Sequence, residues 1–238
     1  WSWCLHTQPK EIPLSGIRPG IARVGFALAL AIAARPTNAI PALMVFALIA
    51  KERRAEVFRF ILGGIPVALP LLIYNTIVFG APLSGGYARE MDVHWTAFSP
   101  TTPFNLLISP NVGLFVHAPA LVFAIPGSLM ALFGRRQLGI QRLYPALIAG
   151  FCATILLYSF WDDWAGGHRY GPRMLTDVLP WLMPVFAVGI SKLRRYAKCF
   201  LGFLVAVSIS VQMIGVLCED FSWQERYGRI SDWHRFVE

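Results

Sequence analysis

Five apolar stretches, at about residues 60–79, 117–133, 143–160, 173–190 and 199–217, constrain this chain more than any other feature. Each is close to the ~20 residues that a helix rising 1.5 Å per residue needs to cross an apolar layer of about 30 Å. Composition points the same way. With 56% hydrophobic residues, only 14% charged and a mean hydropathy of +0.55, the chain reads as an integral membrane protein and not as a soluble domain. The expected fold class is all-α, a polytopic transmembrane helix bundle with about five full crossings and a short helical hairpin. The bilayer is its first expected partner.

The hairpin is expected at residues 21–50, where "ARPTN", Ala34–Asn38, interrupts an apolar run. Charge favours two short arms over one kinked helix. Lys51, Arg53, Arg54 and Arg59, then Arg135, Arg136 and Arg142, then Lys192, Arg194, Arg195 and Lys198 fall in three loops that alternating crossings place on one side. By the positive-inside rule that side is the cytoplasm. Arg18 and Arg23 precede the run, so a hairpin keeps both its ends cytoplasmic, whereas a single crossing would put these arginines outside. Arms this short would leave Arg35 below the external surface in a polar cavity.

The net charge of +8 and pI near 9.7 do not indicate nucleic acid. The basic residues lie in short clusters between apolar runs, with no stripe carrying base-stacking aromatics. The four cysteines lack metal-ligand spacing; Cys152 and Cys199 are expected to be reduced packing residues, and only Cys4 and Cys218 are candidates for pairing. No repeat or low-complexity linker divides the chain. A single transmembrane domain is expected: a cytoplasmic or interfacial lead-in at 1–20, the hairpin at 21–50, a bundle over 60–217, and an external tail at 218–238. The chain opens at Trp1 without a signal-peptide pattern and reads as the C-terminal part of a longer protein.

Chemistry is expected in the external loops 80–116 and 161–172. In the first, Phe104 to Val116 predicts a short apolar segment along the interface. The second lies in "WDDWAGGHRYGPRM", residues 161–174, where Trp161, Trp164 and Tyr170 suit the headgroup belt. Gly166, Gly167, Gly171 and Pro172 shape the backbone, and Arg173 opens a membrane helix. Free N–H groups at a helix start, with guanidinium donors, suit an anion such as a lipid phosphate. Arg173 bonded to loop carbonyls or to Asp177, four residues on, is an equally open alternative. Asp162, Asp163 and His168 are possible ligands of a divalent metal, which Arg169 and Arg173 would oppose. "LSGGY" lacks the Lys-Ser/Thr ending of a P-loop, so no nucleotide site is expected.

In chain order, "ARPTN", "YNTIVFGAPLSGGY", "LLISPNVGLFVHAP" and "WAGGHRYGPRMLTDVLP" resemble the C-terminal half of bacterial polytopic glycosyltransferases of the GT-C superfamily, akin to protein mannosyltransferases, over about residues 21–190. The resemblance implies a GT-C-like bundle in the bacterial cytoplasmic (inner) membrane. It also implies transfer of a sugar from a polyprenyl-phosphate donor to an acceptor on the external face. Candidate substrate contacts are Arg173, Arg169, His168, Tyr170, Asp162, Asp163, Arg35 and Tyr87. No cofactor is expected beyond a possible divalent metal. The superfamily's catalytic acid usually lies in the first external loop, which is expected upstream of this chain, so no catalytic residue is assigned. Two other classes fit the residues: a transporter, with Arg35–Pro36 or Pro66–Pro70 as broken-helix elements, and a noncatalytic membrane assembly subunit.

Overall fold

A computed structural model of the chain describes residues 20–84, 95, 97–110, 112–133, 143–162, 164–165, 170–191 and 193–218. Among these residues the structure is helical, with one isolated antiparallel bridge between Trp95 and Trp161 and no strand. The first helix, α1 (Ile21–Ala34), stops where Arg35 turns extended at φ −155° and ψ 116°. Pro36 explains the stop, because a proline ring crowds a helical backbone at the residue before it. A 3-10 turn, Pro36–Asn38, follows. Buried Asn38 donates its Nδ2–H at 3.0 Å to the Ala31 carbonyl, which also accepts the Arg35 N–H at 3.0 Å, so the turn is pinned back onto the end of α1.

The chain then enters α2 (Ala39–Glu52) and, after the 3-10 turn Arg54–Glu56, α3 (Val57–Phe79). Gly20, Ile21 and Ala22 at the start of α1 line the same cavity as Arg53, Glu56 and Arg59 beyond the end of α2. The 21–52 stretch therefore returns to the end of the bundle where it began. Its arms find separate partners, α1 lying along α3 and α2 along the later helix Leu143–Tyr158. Glycine permits the first pairing: Gly25 faces the Phe60 carbonyl and Gly63 the Ala22 carbonyl, with no side chain between the backbones.

The remaining elements are α4 (Thr102–Ile108), α5 (Leu114–His117), a 3-10 turn Pro119–Phe123 running into α6 (Ala124–Phe133), α7 (Leu143–Tyr158), a 3-10 stretch Arg173–Val178 running into α8 (Leu179–Ser191), and α9 (Arg195–Cys218). Among the described residues, three helical spans are long and apolar enough to cross a membrane: Arg54–Phe79, Arg173–Ser191 and Arg195–Leu217. Ile21–Ala34, Pro119–Phe133 and Leu143–Tyr158 are apolar but shorter. No residue of α3 is buried, and Phe58, Ile61, Leu69 and Ile73 stand on its surface. The exposed surface of α3 is thus largely apolar, as an acyl-chain solvent would require.

The main core joins Leu106, Leu114, Leu121, Ile155, Tyr158, Leu175, Val178 and Leu182, and a smaller one joins Val45, Ile49 and Leu147. Leu106 of α4 and Leu114 of α5, from the stretch expected along the interface, plug the main core. Trp161 and Trp164 are half-buried against the same core, and Trp161 meets Trp95 edge to face at 5.0 Å. Cys152 and Cys199 are free, as expected of reduced thiols, but exposed on the bundle surface and not packed inside it.

Candidate functional site at the hairpin tip

The break that Pro36 imposes after α1 sends the Arg35 side chain across to the segment entering α8. Its Nη1 lies 2.6 Å from Asp177 Oδ2, and both side chains are about three-quarters withdrawn from the surface, at 28% and 25% exposure. Oδ2 is shut off from solvent and makes no hydrogen bond of good geometry, so the contact is ionic. Arg35 also donates from Nη1 to the Arg173 carbonyl at 3.2 Å and from Nη2 to Met174 Sδ at 3.3 Å. One guanidinium thus ties the hairpin tip to three residues of a segment about 140 positions away. Nearby, the Tyr158 hydroxyl reaches Thr37 Oγ1 at a long 3.4 Å.

Residues 170–173 turn tightly because Gly171 takes the left-handed conformation, φ +78°, which only glycine enters without strain. A Cβ at Gly171 would stand 3.4 Å from the His117 ring. His117 precedes the Pro119–Phe133 helix and is buried. Its Nδ1 lies 3.0 Å from the Gly113 carbonyl, and since a carbonyl only accepts, Nδ1 carries the proton. Burial pulls the His117 pKa below its usual value, and the Gly113 bond opposes this more weakly. The Tyr170 ring meets His117 edge to face at 5.0 Å. It also sits on Gly215 of α9, where its hydroxyl donates to the Val211 carbonyl at 2.7 Å. Gln212 of the same helix donates to the His117 carbonyl at 3.1 Å. The preceding loop is laced in too, Ser99 N–H donating to the Ser159 carbonyl at 2.8 Å.

The structure brings Arg35 and Arg173 together, with Tyr170 close by in sequence and held against His117. Asp162 sits exposed in a turn. Asp163, His168, Arg169 and Tyr87 lie outside the described residues, as do the basic loop 134–142, the 1–19 lead-in and the 219–238 tail. Two details of the Arg173 expectation are corrected. The segment starts as a 3-10 helix in which the Arg173 N–H donates to the Gly171 carbonyl at 2.8 Å, and its N-cap, Pro172, has no N–H. The Arg173 and Leu175 amides of the helix start are therefore turned to the Gly171 and Pro172 carbonyls and away from any anion. In a helix of three residues per turn, positions 173 and 177 fall on different faces, and Asp177 is committed to Arg35. Arg173 is exposed, so any anion contact at this end comes from its guanidinium. Among the described residues no group of three or more His, Cys, Asp or Glu side chains is placed to hold a metal.

Asp177 as a partner of Arg35, and His117 as the ring beneath Gly171, were not foreseen from sequence. A lone acid inside the apolar run 173–190 was the available signal for Asp177, because an ionisable group at membrane depth needs a partner. His117 carried no such signal. Among the described residues, fold and site define an all-helical arrangement with three membrane-length helices and a braced polar tip at one end of the core. Compared with known protein families, curated proteins and solved structures, the chain matches none.

Proposed function

We propose that this chain belongs to a GT-C-like membrane glycosyltransferase of the bacterial cytoplasmic membrane, which transfers a sugar from a polyprenyl-phosphate donor to an acceptor on the external face. The bundle is read with five crossings, the two shorter helices Pro119–Phe133 and Leu143–Tyr158 completing the three longer ones. The observation that carries the reading is convergence. Residues from "ARPTN", "LLISPNVGLFVHAP" and "RYGPRMLTDVLP", far apart in sequence, meet at one end of the bundle through Arg35, His117, Tyr170, Arg173 and Asp177.

In such a transfer the acceptor oxygen attacks the anomeric carbon as the bond to the donor phosphate breaks, and negative charge gathers on the departing lipid phosphate. A guanidinium fixed beside that phosphate stabilises the developing charge. Arg173 has this role in our reading. Arg35, held by Asp177, positions it through the Arg173 carbonyl. Asp177 is committed to that brace, so no catalytic base is assigned to it.

The test pairs donor affinity with thermal stability in the full-length protein. Arg173→Ala should weaken binding of a polyprenyl-phosphate sugar roughly 10- to 100-fold, the equivalent of the ~1.5–3 kcal/mol in a charge-assisted hydrogen bond, and leave the melting temperature nearly unchanged. Arg173→Lys should rescue only in part, since an ammonium lacks the bidentate fork. Unchanged affinity with a lowered melting temperature would sink the assignment.

A further inference from the structure

A second polar site lies at the opposite end of α1, about 20 Å from Arg35 by the rise of its 14 residues. Here Gly20, Ile21 and Ala22 meet Arg53, Glu56, Arg59 and Leu62 around a cavity of about 350 Å³. Its charged lining consists of two guanidiniums and one carboxylate. Arg53 and Glu56 form a loose pair at 3.6 Å, whereas Arg59 has neither an ion-pair nor a hydrogen-bond partner among the described residues. The cavity lies at the start of the Arg54–Phe79 span, the end at which a helix of that length would reach the headgroups of a bilayer. Below it, Phe58, Ile61, Leu62, Ile65 and Leu69 recur along α3 at helical spacing, and all are exposed.

We infer that this cavity binds the phosphate of an anionic phospholipid between Arg53 and Arg59, with the acyl chains lying along the exposed face of α3. Basic pockets between membrane helices favour such headgroups, and guanidinium is the donor suited to phosphate oxygens. The apolar face beneath distinguishes a lipid from free phosphate. Inorganic phosphate would use the arginines and leave Leu62 and Ile65 without a role. The site is independent of the proposed transfer reaction, because it lies at the other end of α1 and shares no residue with the hairpin tip.

The experiment titrates the full chain, purified in neutral detergent, with short-chain phosphatidylglycerol, phosphatidylcholine or inorganic phosphate, and follows the melting temperature. Phosphatidylglycerol should raise it in a saturable way and the other two should not. Arg53→Gln with Arg59→Gln should weaken the apparent affinity ~10-fold or more. Glu56→Gln should strengthen it, since Arg53 then loses its competing carboxylate; a purely structural role for these residues predicts no gain. The Glu56 variant keeps the test decisive even if the double arginine variant fails to fold. Equal stabilisation by phosphatidylcholine, or a phosphatidylglycerol response unchanged in both variants, overturns the proposal. A response to inorganic phosphate as large as that to phosphatidylglycerol overturns the lipid assignment.

Discussion

Asp177 matters here through what it spares Arg35. An arginine withdrawn from water with no counter-charge is costly, so losing the carboxylate should cost more than losing a surface pair and less than breaking a fully buried one, roughly 1–3 kcal/mol. Asp177→Asn should lower the melting temperature, and a cycle with Arg35→Gln should show that the two losses are not additive. Additive losses would mean that the 2.6 Å contact contributes nothing of its own. At Gly171 the backbone sets the penalty. Alanine must adopt a left-handed conformation at about 1–2 kcal/mol, with its Cβ 3.4 Å from His117, so Gly171→Ala should destabilise the tip even though it adds one methyl group. His117 adds a pH dependence with a definite sign. Its folded pKa lies below the ordinary 6.5, so the unfolded chain binds more protons, and its contribution is fully present above about 6.5 and lost as pH falls below that value. His117→Gln should flatten the melting temperature between pH 7.5 and pH 5; an unaltered slope would show that other groups set it.

Among the elements, α9 depends most on a few contacts. It has no buried hydrophobic residue and meets the body mainly at the Pro119–Phe123 turn. Its links to the tip are the Tyr170 hydroxyl on Val211, the Tyr170 ring on Gly215, Gln212 on the His117 carbonyl, and Ser208 Oγ accepting from the Ala120 N–H at 3.2 Å. Tyr170→Phe should cost about 1 kcal/mol, the net value of one hydrogen bond. Gly215→Val should cost more, because the new side chain takes the space of the Tyr170 ring. Amide exchange should then quicken across 208–217 and not in α1; a uniform rise would point to global instability instead. The same elements show how far the sequence could be read. Hydrophobic runs of near-membrane length located the long helices, and Pro36 marked the end of α1, since both signals are local. The packing of Leu106 and Leu114 into the core, the Arg35–Asp177 pair, and the 3-10 start at Arg173 were hidden, because each depends on a partner far along the chain or on a hydrogen-bonding choice that periodicity does not encode.

For the whole molecule, orientation follows from how the 21–52 stretch is traversed. If α1 and α2 formed one crossing, residues before Gly20 and residues after Glu52 would face opposite sides. The shared cavity of Gly20–Ala22 with Arg53, Glu56 and Arg59 brings those two ends together. On the five-crossing reading proposed above, the basic turn at Arg53–Arg59 and the basic residues around Arg194 would fall on one side, which the positive-inside rule would make the cytoplasm. On that reading the proposed external face is the one that carries the Arg35–Arg173 tip. Single cysteines at Ser15 and Ser222, in a chain whose four native cysteines are replaced, test this with a membrane-impermeant maleimide applied to intact cells. Ser222→Cys should react at once, and Ser15→Cys only after the membrane is permeabilised. If both react in intact cells, the hairpin cannot keep its ends on the cytoplasmic side. If the pattern inverts, the tip faces the cytoplasm, and a sugar donor presented on the external face cannot reach Arg173.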